Sequence, residues 1–171
     1  MAVSFVKSAV GIHNLPESIL TLTSLPRIDY ADQFTITTVL HASPESWARA
    51  MLGNVPSFAE RLIWGGLLGF RLSRERSPAT VAGWLIGKRG EDWIRLEAAS
   101  WFLAGNLLVQ RADRQVSLVT FLHYRHWLGH VVWALLSPVH RRLVPRILRN
   151  AVARVPASRC GSESSSWTGR K

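Results

Sequence analysis

The chain of 171 residues is long enough for one domain with a hydrophobic core and short for two. Hydrophobic residues make up 47% of it, and no run approaches the roughly 18 uninterrupted apolar residues that a membrane-spanning helix needs. The formal net charge of +10, from 21 basic and 11 acidic residues, permits nucleic acid or an anionic membrane as a partner without requiring either.

The N-terminal stretch and the single cysteine bear on the cellular compartment. Lys7 is the only basic residue before Pro16, and no small-residue cleavage site precedes that proline, so the stretch is unlike a secretory signal. Cys160 lies among polar residues, which excludes a disulfide framework within this chain and a cysteine metal site. We therefore expect a cytoplasmic protein.

The first predicted elements follow an irregular start. Residues 1–28 contain two prolines and no sustained periodicity, which predicts an irregular N-terminal extension. Residues 33–40 alternate and are rich in β-branched side chains, which predicts the first strand. Ser43 and Pro44 then supply an N-cap and a first helical residue for a short helix that ends at Gly53.

A second helix is predicted shortly afterwards. Ser57 and Glu60 have the spacing of a capping box. The apolar residues that follow occupy nearly every face of a helix, so we expect it to be substantially buried. These residues are Phe58, Leu62, Ile63, Trp64, Leu67, Leu68 and Phe70.

From Thr80 onwards the periodicity is that of strands. Their connections are short and contain no crossover helix, so the strands are expected to pair antiparallel, which excludes a doubly wound parallel sheet. The predicted strands are residues 81–86, 92–102, 107–110 and 116–124, with turns at 87–90, 105–106 and 111–114.

The last third of the chain is predicted to be helical. Two apolar stripes follow each other, and Ser137 with Pro138 between them is typical of a helix start, so we predict two helical pieces. Residues 156–171 are rich in Ser, Gly, Arg and Lys, which predicts a disordered tail. The first stripe is Leu128, Val131, Val132, Leu135, Leu136 and Val139, and the second is His140, Leu143, Val144, Ile147, Leu148, Ala151 and Val155.

Four short motifs within residues 29–155 point to a known family. They are Asp29-Tyr30-Ala31-Asp32-Gln33-Phe34, Ser43-Pro44 with Trp47, Asp92-Trp93 running to Ser100-Trp101-Phe102, and Trp133 followed by Ser137-Pro138-Val139-His140-Arg141. With them, the chain resembles the uncharacterised bacterial family catalogued as domain of unknown function 2867. The order of elements is also similar to the helix-grip fold of the START and Bet v 1-like superfamily.

The resemblance implies an α+β fold. A curved antiparallel sheet would wrap round a long C-terminal helix, with two short helices after the first strand, in one domain over residues 29–155. A single apolar stripe does not fill the space inside such a sheet, so we expect a cavity that holds an apolar or aromatic small molecule. The expected wall residues are Trp64, Trp84, Trp101 and Trp133. The family supplies no established active site, and no cofactor is expected.

Two titratable residues are candidates for orienting a ligand or, as in helix-grip cyclases and lyases, for acid–base chemistry. Glu97 shares a strand face with Arg95, Trp93 and Trp101, and that face lies either outside or in the cavity, where burial would raise the pKa of Glu97. His140 lies within the second stripe, as either a core histidine or a polar group in the cavity.

Other chemical motifs are incomplete. Residues 83–89 are a near miss for a phosphate-binding loop, with one residue too few between the glycines. His123, His126 and His130 are close in sequence, but the first two face opposite sides of a strand and no nearby acid or cysteine completes a site. We predict no metal site.

The competing hypothesis is a basic module that binds nucleic acid or anionic lipid. A solvated helix face is the simpler interpretation, because no aromatic residue is interleaved with the arginines for base stacking. The arginines concerned are Arg141, Arg142, Arg146, Arg149 and Arg154.

Overall fold

The computed structural model of the chain describes residues 5–53, 61–73 and 77–155. These residues form one seven-stranded antiparallel sheet in the order β1-β2-β7-β6-β5-β4-β3, and a long helix ends the fold. The elements in chain order are β1 (Val6–Val10), a 3₁₀ turn (Ile12–Asn14), α1 (Glu17–Leu20), β2 (Tyr30–Thr37), α2 (Pro44–Leu52), a π-helical segment (Arg61–Leu67), β3 (Thr80–Val81), β4 (Trp84–Arg89), β5 (Trp93–Ala99), β6 (Leu103–Ala112), β7 (Gln115–Tyr124) and α3 (Trp127–Arg154).

The sheet has two covered faces, which we call inner and outer. On the inner face, side chains such as Phe34, Leu96 and Leu118 form the main core with α2, the π-helical segment and α3. On the outer face, Leu15 and Ile19 of the N-terminal segment pack against a smaller cluster on β2, β6 and β7. The predicted α+β architecture with antiparallel strands is confirmed.

β1 and α1 correct the prediction of an irregular extension over residues 1–28. β1 pairs antiparallel with β2 at the edge of the sheet. Its side chains are only half-buried or exposed, so its sequence lacks the apolar alternation of a strand that covers a core. α1 starts directly after Pro16, which lies outside both elements and therefore interrupts neither.

β6 also differs from the prediction. The expected break at Gly105 and Asn106 is absent, and the chain instead turns at residues 100–102. Gly105 packs closely, because a Cβ there would lie 3.2 Å from both Leu122 and Phe70. A glycine in this strand therefore marks close packing and not a turn.

α3 is one continuous helix of 28 residues, which corrects the prediction of two pieces. Pro138 has no N–H to donate to the carbonyl oxygen of Ala134, and the Ser137 hydroxyl donates to that oxygen over 3.4 Å. Packing against the sheet on both sides of the proline holds the helix together. Within the described ranges, no helix is both long and apolar enough to cross a membrane.

The first stripe of α3 is also corrected. Val131, Leu135 and Val139 are exposed, and Trp133 is buried in their place. The second stripe is largely as predicted, with Val144, Leu148, Ala151 and Val155 buried. The first half of α3 is therefore rotated relative to the expected helix, so that it presents its tryptophan to the sheet.

The helix predicted after Gly53 lies only partly within the described residues. Its capping box, Ser57 and Glu60, and Phe58 lie outside them, as do residues 156–171. The described part is π-helical, and Leu67 is exposed, so the expectation of burial on nearly every face is wrong there. Trp64 is partly buried, and Leu68 and Phe70 are buried.

Candidate functional site

A cavity of about 120 Å³ lies between the inner face of the sheet and α3, partly open to the surface. β6 and β7 contribute Leu107, Leu118 and Leu122 to it. Val139 and Leu143 of α3 also line it and are 45% and 37% exposed, so they stand at its mouth. The cavity is thus largely apolar, and it opens beside the exposed side of α3.

Aromatic rings form the wall opposite α3. The rings of Trp64 and Phe70 meet the Trp84 ring edge to face, with centroids 5.6 and 5.1 Å apart. Trp84 begins β4 after a tight turn at Gly83, whose φ is +83° and where a Cβ would lie 2.6 Å from the carbonyl oxygen of Ser73. Glycine is required at that turn, which places Trp84 in the cavity wall.

The cavity has one polar end, formed by Thr120 and His140. The Oγ1 atom of Thr120 lies 3.2 Å from Nε2 of His140, and the same nitrogen lies 3.1 Å from Oδ2 of Asp32. Asp32 is fully buried and also accepts a hydrogen bond of 2.6 Å from the hydroxyl of Tyr30. These four residues form a polar network behind the apolar lining.

Sheet register explains how the network assembles. Asp32 of β2 and Thr120 of β7 are direct cross-strand partners, so both side chains point to the inner face. α3 crosses these two strands and brings His140 onto the pair. The Trp133 ring lies 5.1 Å from that of Tyr30 and 5.0 Å from that of His140.

The electrostatics of the network follow from burial. Burial and the neighbouring Asp32 carboxylate raise the pKa of Tyr30, so its hydroxyl stays protonated and donates. Nε2 of His140 faces a carboxylate that only accepts when ionised, so Nε2 carries the hydrogen. Arg141 donates to the Tyr30 oxygen over 3.3 Å from the solvent side.

Four of the six predicted ligand-binding candidates line the cavity. These are Trp64, Trp84, Trp133 and His140. The structure therefore brings together residues that the sequence indicates separately. Of the two candidates for acid–base chemistry, only His140 faces this cavity.

Glu97 and Trp101 lie elsewhere. Glu97 is on the outer face, where it accepts hydrogen bonds from Arg95 at 2.8 Å and Ser24 at 2.9 Å. Trp101 is 68% exposed in the turn after β5, against Phe102 and His126. The inner face of β5 instead carries Ile94 and Leu96, so neither candidate contacts the cavity.

Sequence reasoning missed Asp32, Thr120 and Tyr30. The available signal was the position of Asp32, which shares a strand face with Phe34 and Ile36 and is therefore directed to the core. A carboxylate at such a position needs a buried partner.

The three neighbouring histidines have separate structural roles. His123 contacts Asp29 at 2.8 Å, and His126 accepts from the backbone N–H of Leu128 at the start of α3. The ring of His130 meets that of Tyr124 edge to face. Burial opposes ionisation of Asp29, but hydrogen bonds from Tyr124, His123 and Arg27 outweigh it and lower its pKa. Among the described residues, no group of three potential ligands forms a metal site.

The predicted basic residues of α3 do not all have the same surroundings. Arg141 lies 5.7 Å over the Tyr30 ring and belongs to the network at the cavity. The remaining four are exposed along the helix: Arg142, Arg146, Arg149 and Arg154.

Comparison with known proteins identifies no relative: no family model, no curated protein and no solved structure matches the chain.

Proposed function

We propose that this protein binds a small, largely apolar molecule in the cavity between the sheet and α3. We also propose that its fold is the helix-grip fold, to which the order of its elements is similar, and that the chain is related to the family catalogued as domain of unknown function 2867, which its motifs resemble. The observation that carries the proposal is the lining, which is aliphatic or aromatic apart from Thr120 and His140. An apolar cavity with a few convergent polar groups is typical of small-molecule sites.

The cavity volume limits the size of the ligand. An apolar cavity of about 150 Å³ in another protein binds benzene. The cavity here, at about 120 Å³, is of similar size and partly open. A single aromatic ring or a short aliphatic chain fits, with any larger substituent extending past Val139 and Leu143.

Native mass spectrometry of freshly purified protein tests the proposal directly, because an endogenous ligand appears as added mass.

A matched pair of variants tests whether the cavity is the binding site. Leu136→Trp fills the cavity from α3, whereas Leu135→Trp adds the same ring at the neighbouring exposed position. We expect benzene binding, measured by calorimetry, to be lost in the first variant and retained in the second. Equal affinities in both variants would contradict the site.

A second candidate function rests on the solvent-facing side of α3. The exposed side chains Val131, Leu135 and Val139 are followed by Arg142 and Arg146 on the same side of the helix. An apolar patch beside arginines is typical of helices that lie on anionic membranes. Nucleic acid is less favoured because these arginines adjoin aliphatic side chains and not aromatic ones.

Vesicle sedimentation tests this second function independently of the cavity. Binding to vesicles that contain phosphatidylglycerol, and not to phosphatidylcholine alone, is expected. A variant with Arg142→Gln and Arg146→Gln should bind about fivefold more weakly per arginine removed. Arg114→Gln, in the exposed turn between β6 and β7, is the control and should bind as the parent does. Binding that is insensitive to both lipid charge and salt would exclude this function.

A further inference from the structure

We propose that the ligand is a neutral single-ring compound bearing a hydroxyl group, and that this hydroxyl binds the Thr120 hydroxyl at the end of the cavity where His140 lies. The inference rests on the proposed ligand-binding function and names the chemical class of the ligand. It places the ring against the apolar lining and the oxygen at the polar end of the cavity.

The first argument is the position of the hydrogen-bonding groups. Thr120 and His140 are the only lining residues with a side-chain hydroxyl or imidazole in the described part of the chain. Their polar atoms lie 3.2 Å apart, and Nε2 of His140 is already directed to Asp32 and Thr120, so the Thr120 hydroxyl is the group that can bond a ligand oxygen. The Thr120 hydroxyl rotates to donate or accept, which suits a ligand hydroxyl that does both.

The second argument is charge. Asp32 lies fully buried behind His140, and none of the lining residues of the described cavity is a lysine or an arginine. A ligand carboxylate would be removed from water and brought close to another carboxylate without a cation to pair with. The site therefore favours a phenol or alcohol over the corresponding acid.

Calorimetric titration with benzene, phenol and benzoate separates this inference from the proposed function. In a purely apolar cavity the hydroxyl makes phenol bind more weakly than benzene, because its hydration is lost without replacement. We expect phenol to bind about threefold more tightly than benzene, and benzoate at least about tenfold more weakly than phenol. If neither benzene nor phenol binds, the proposed function fails for single-ring ligands. If benzene binds and phenol is weaker, or benzoate matches phenol, only the present inference is overturned.

A matched pair of variants assigns the effect to Thr120. Thr120→Val keeps the shape and removes the hydroxyl, and should weaken phenol binding about tenfold while changing benzene binding less than about twofold. Thr35→Val is the control, because the Thr35 hydroxyl contacts Ser117 on the outer face. Equal phenol affinity in both variants would place the hydroxyl elsewhere. The comparison of ligands on the parent protein stands even if Thr120→Val fails to fold.

Discussion

The two faces of the sheet each carry a polar network that ties a distant segment to the strands, but the networks differ in burial. On the inner face, Asp32 is fully buried and links β2 to His140 of α3. On the outer face, the side chain of Glu97 is 30% exposed and pairs with Arg95 and with Ser24 of the N-terminal segment.

The difference shows that the energetic cost of losing a polar contact depends on how deeply the contact is buried. A buried carboxylate loses its hydration, and its hydrogen bonds largely offset that loss, so removing a partner leaves an uncompensated group. A partly exposed pair keeps water as an alternative partner, so its loss costs less. We therefore expect loss of the inner network to destabilise the fold more than loss of the outer network.

The largest expected effect is at Asp32. Asp32→Ala leaves Tyr30 and His140 without their shared acceptor, and we expect the free energy of unfolding to fall by about 3 kcal/mol. Glu97→Ala is the comparison on the outer face and should cost less than about 1 kcal/mol. Urea unfolding at neutral pH measures both. Equal losses would contradict the distinction between the two faces.

The next effect concerns the two tyrosines of the chain, both packed against the inner core. Burial and the nearby Asp29 charge raise the pKa of Tyr124 to about 12, and burial with Asp32 raises that of Tyr30. Because a raised phenol pKa favours the neutral form in the folded state, the stabilisation is present below pH ~10 and is lost as the pH rises through about 12.

The ultraviolet absorbance of tyrosinate follows this titration. In the folded Tyr30→Phe variant we expect a midpoint of about 12, from Tyr124 alone. In urea the midpoint should return to about 10. A folded-state midpoint of about 10 would show that the inner face is open to water at this tyrosine.

The sequence predicts features that depend on neighbouring residues better than contacts between residues that are far apart in the chain. Local periodicity is enough for α2 and for β7, because a side chain's face depends only on its own strand or helix. The pair of Asp32 and His140 is not predictable in this way, since the two residues are 108 positions apart and meet only through tertiary packing.

The orientation of Glu97 is ambiguous in the sequence for a related reason. Residues 103–109 of β6, the strand beside β5, are buried on both faces, so no alternation shows which side of the sheet faces α3. The outer face of β6 is buried because the N-terminal segment covers it, and the sequence alone predicts that segment to be irregular. Because the sequence predicts an irregular N-terminal segment, it does not show that this segment covers the outer face, and the orientation of Glu97 therefore stays ambiguous.

A smaller effect is expected at Gly105, beneath the cavity wall. A Cβ there would meet Leu122 and Phe70 at 3.2 Å, so Gly105→Ala should lower the free energy of unfolding by about 1–2 kcal/mol through overpacking. Gly65 serves as the surface control, because a Cβ there would meet none of the described residues within 4 Å. Gly65→Ala should be neutral or stabilise by up to about 1 kcal/mol. A stabilising Gly105→Ala would show that the inner face is loosely packed.

The smallest effect is at Glu45, which pairs with Arg49 of the same helix at 2.7 Å and joins α2 to β4 through Arg89 at 3.0 Å. Burial opposes ionisation of Glu45, but hydrogen bonds from Arg49 and Arg89 outweigh it and lower its pKa. Because the pKa is lowered by folding, the stabilisation is present above the ordinary value of about 4.3 and is lost as the pH falls. Glu45→Gln should therefore cost about 0.5–1 kcal/mol at neutral pH and less at about pH 3. Glu91→Gln, in the exposed turn between β4 and β5, should match the parent at both pH values. A cost at Glu45 that persists in acid would mean that the side chain stabilises the fold through packing and not through charge.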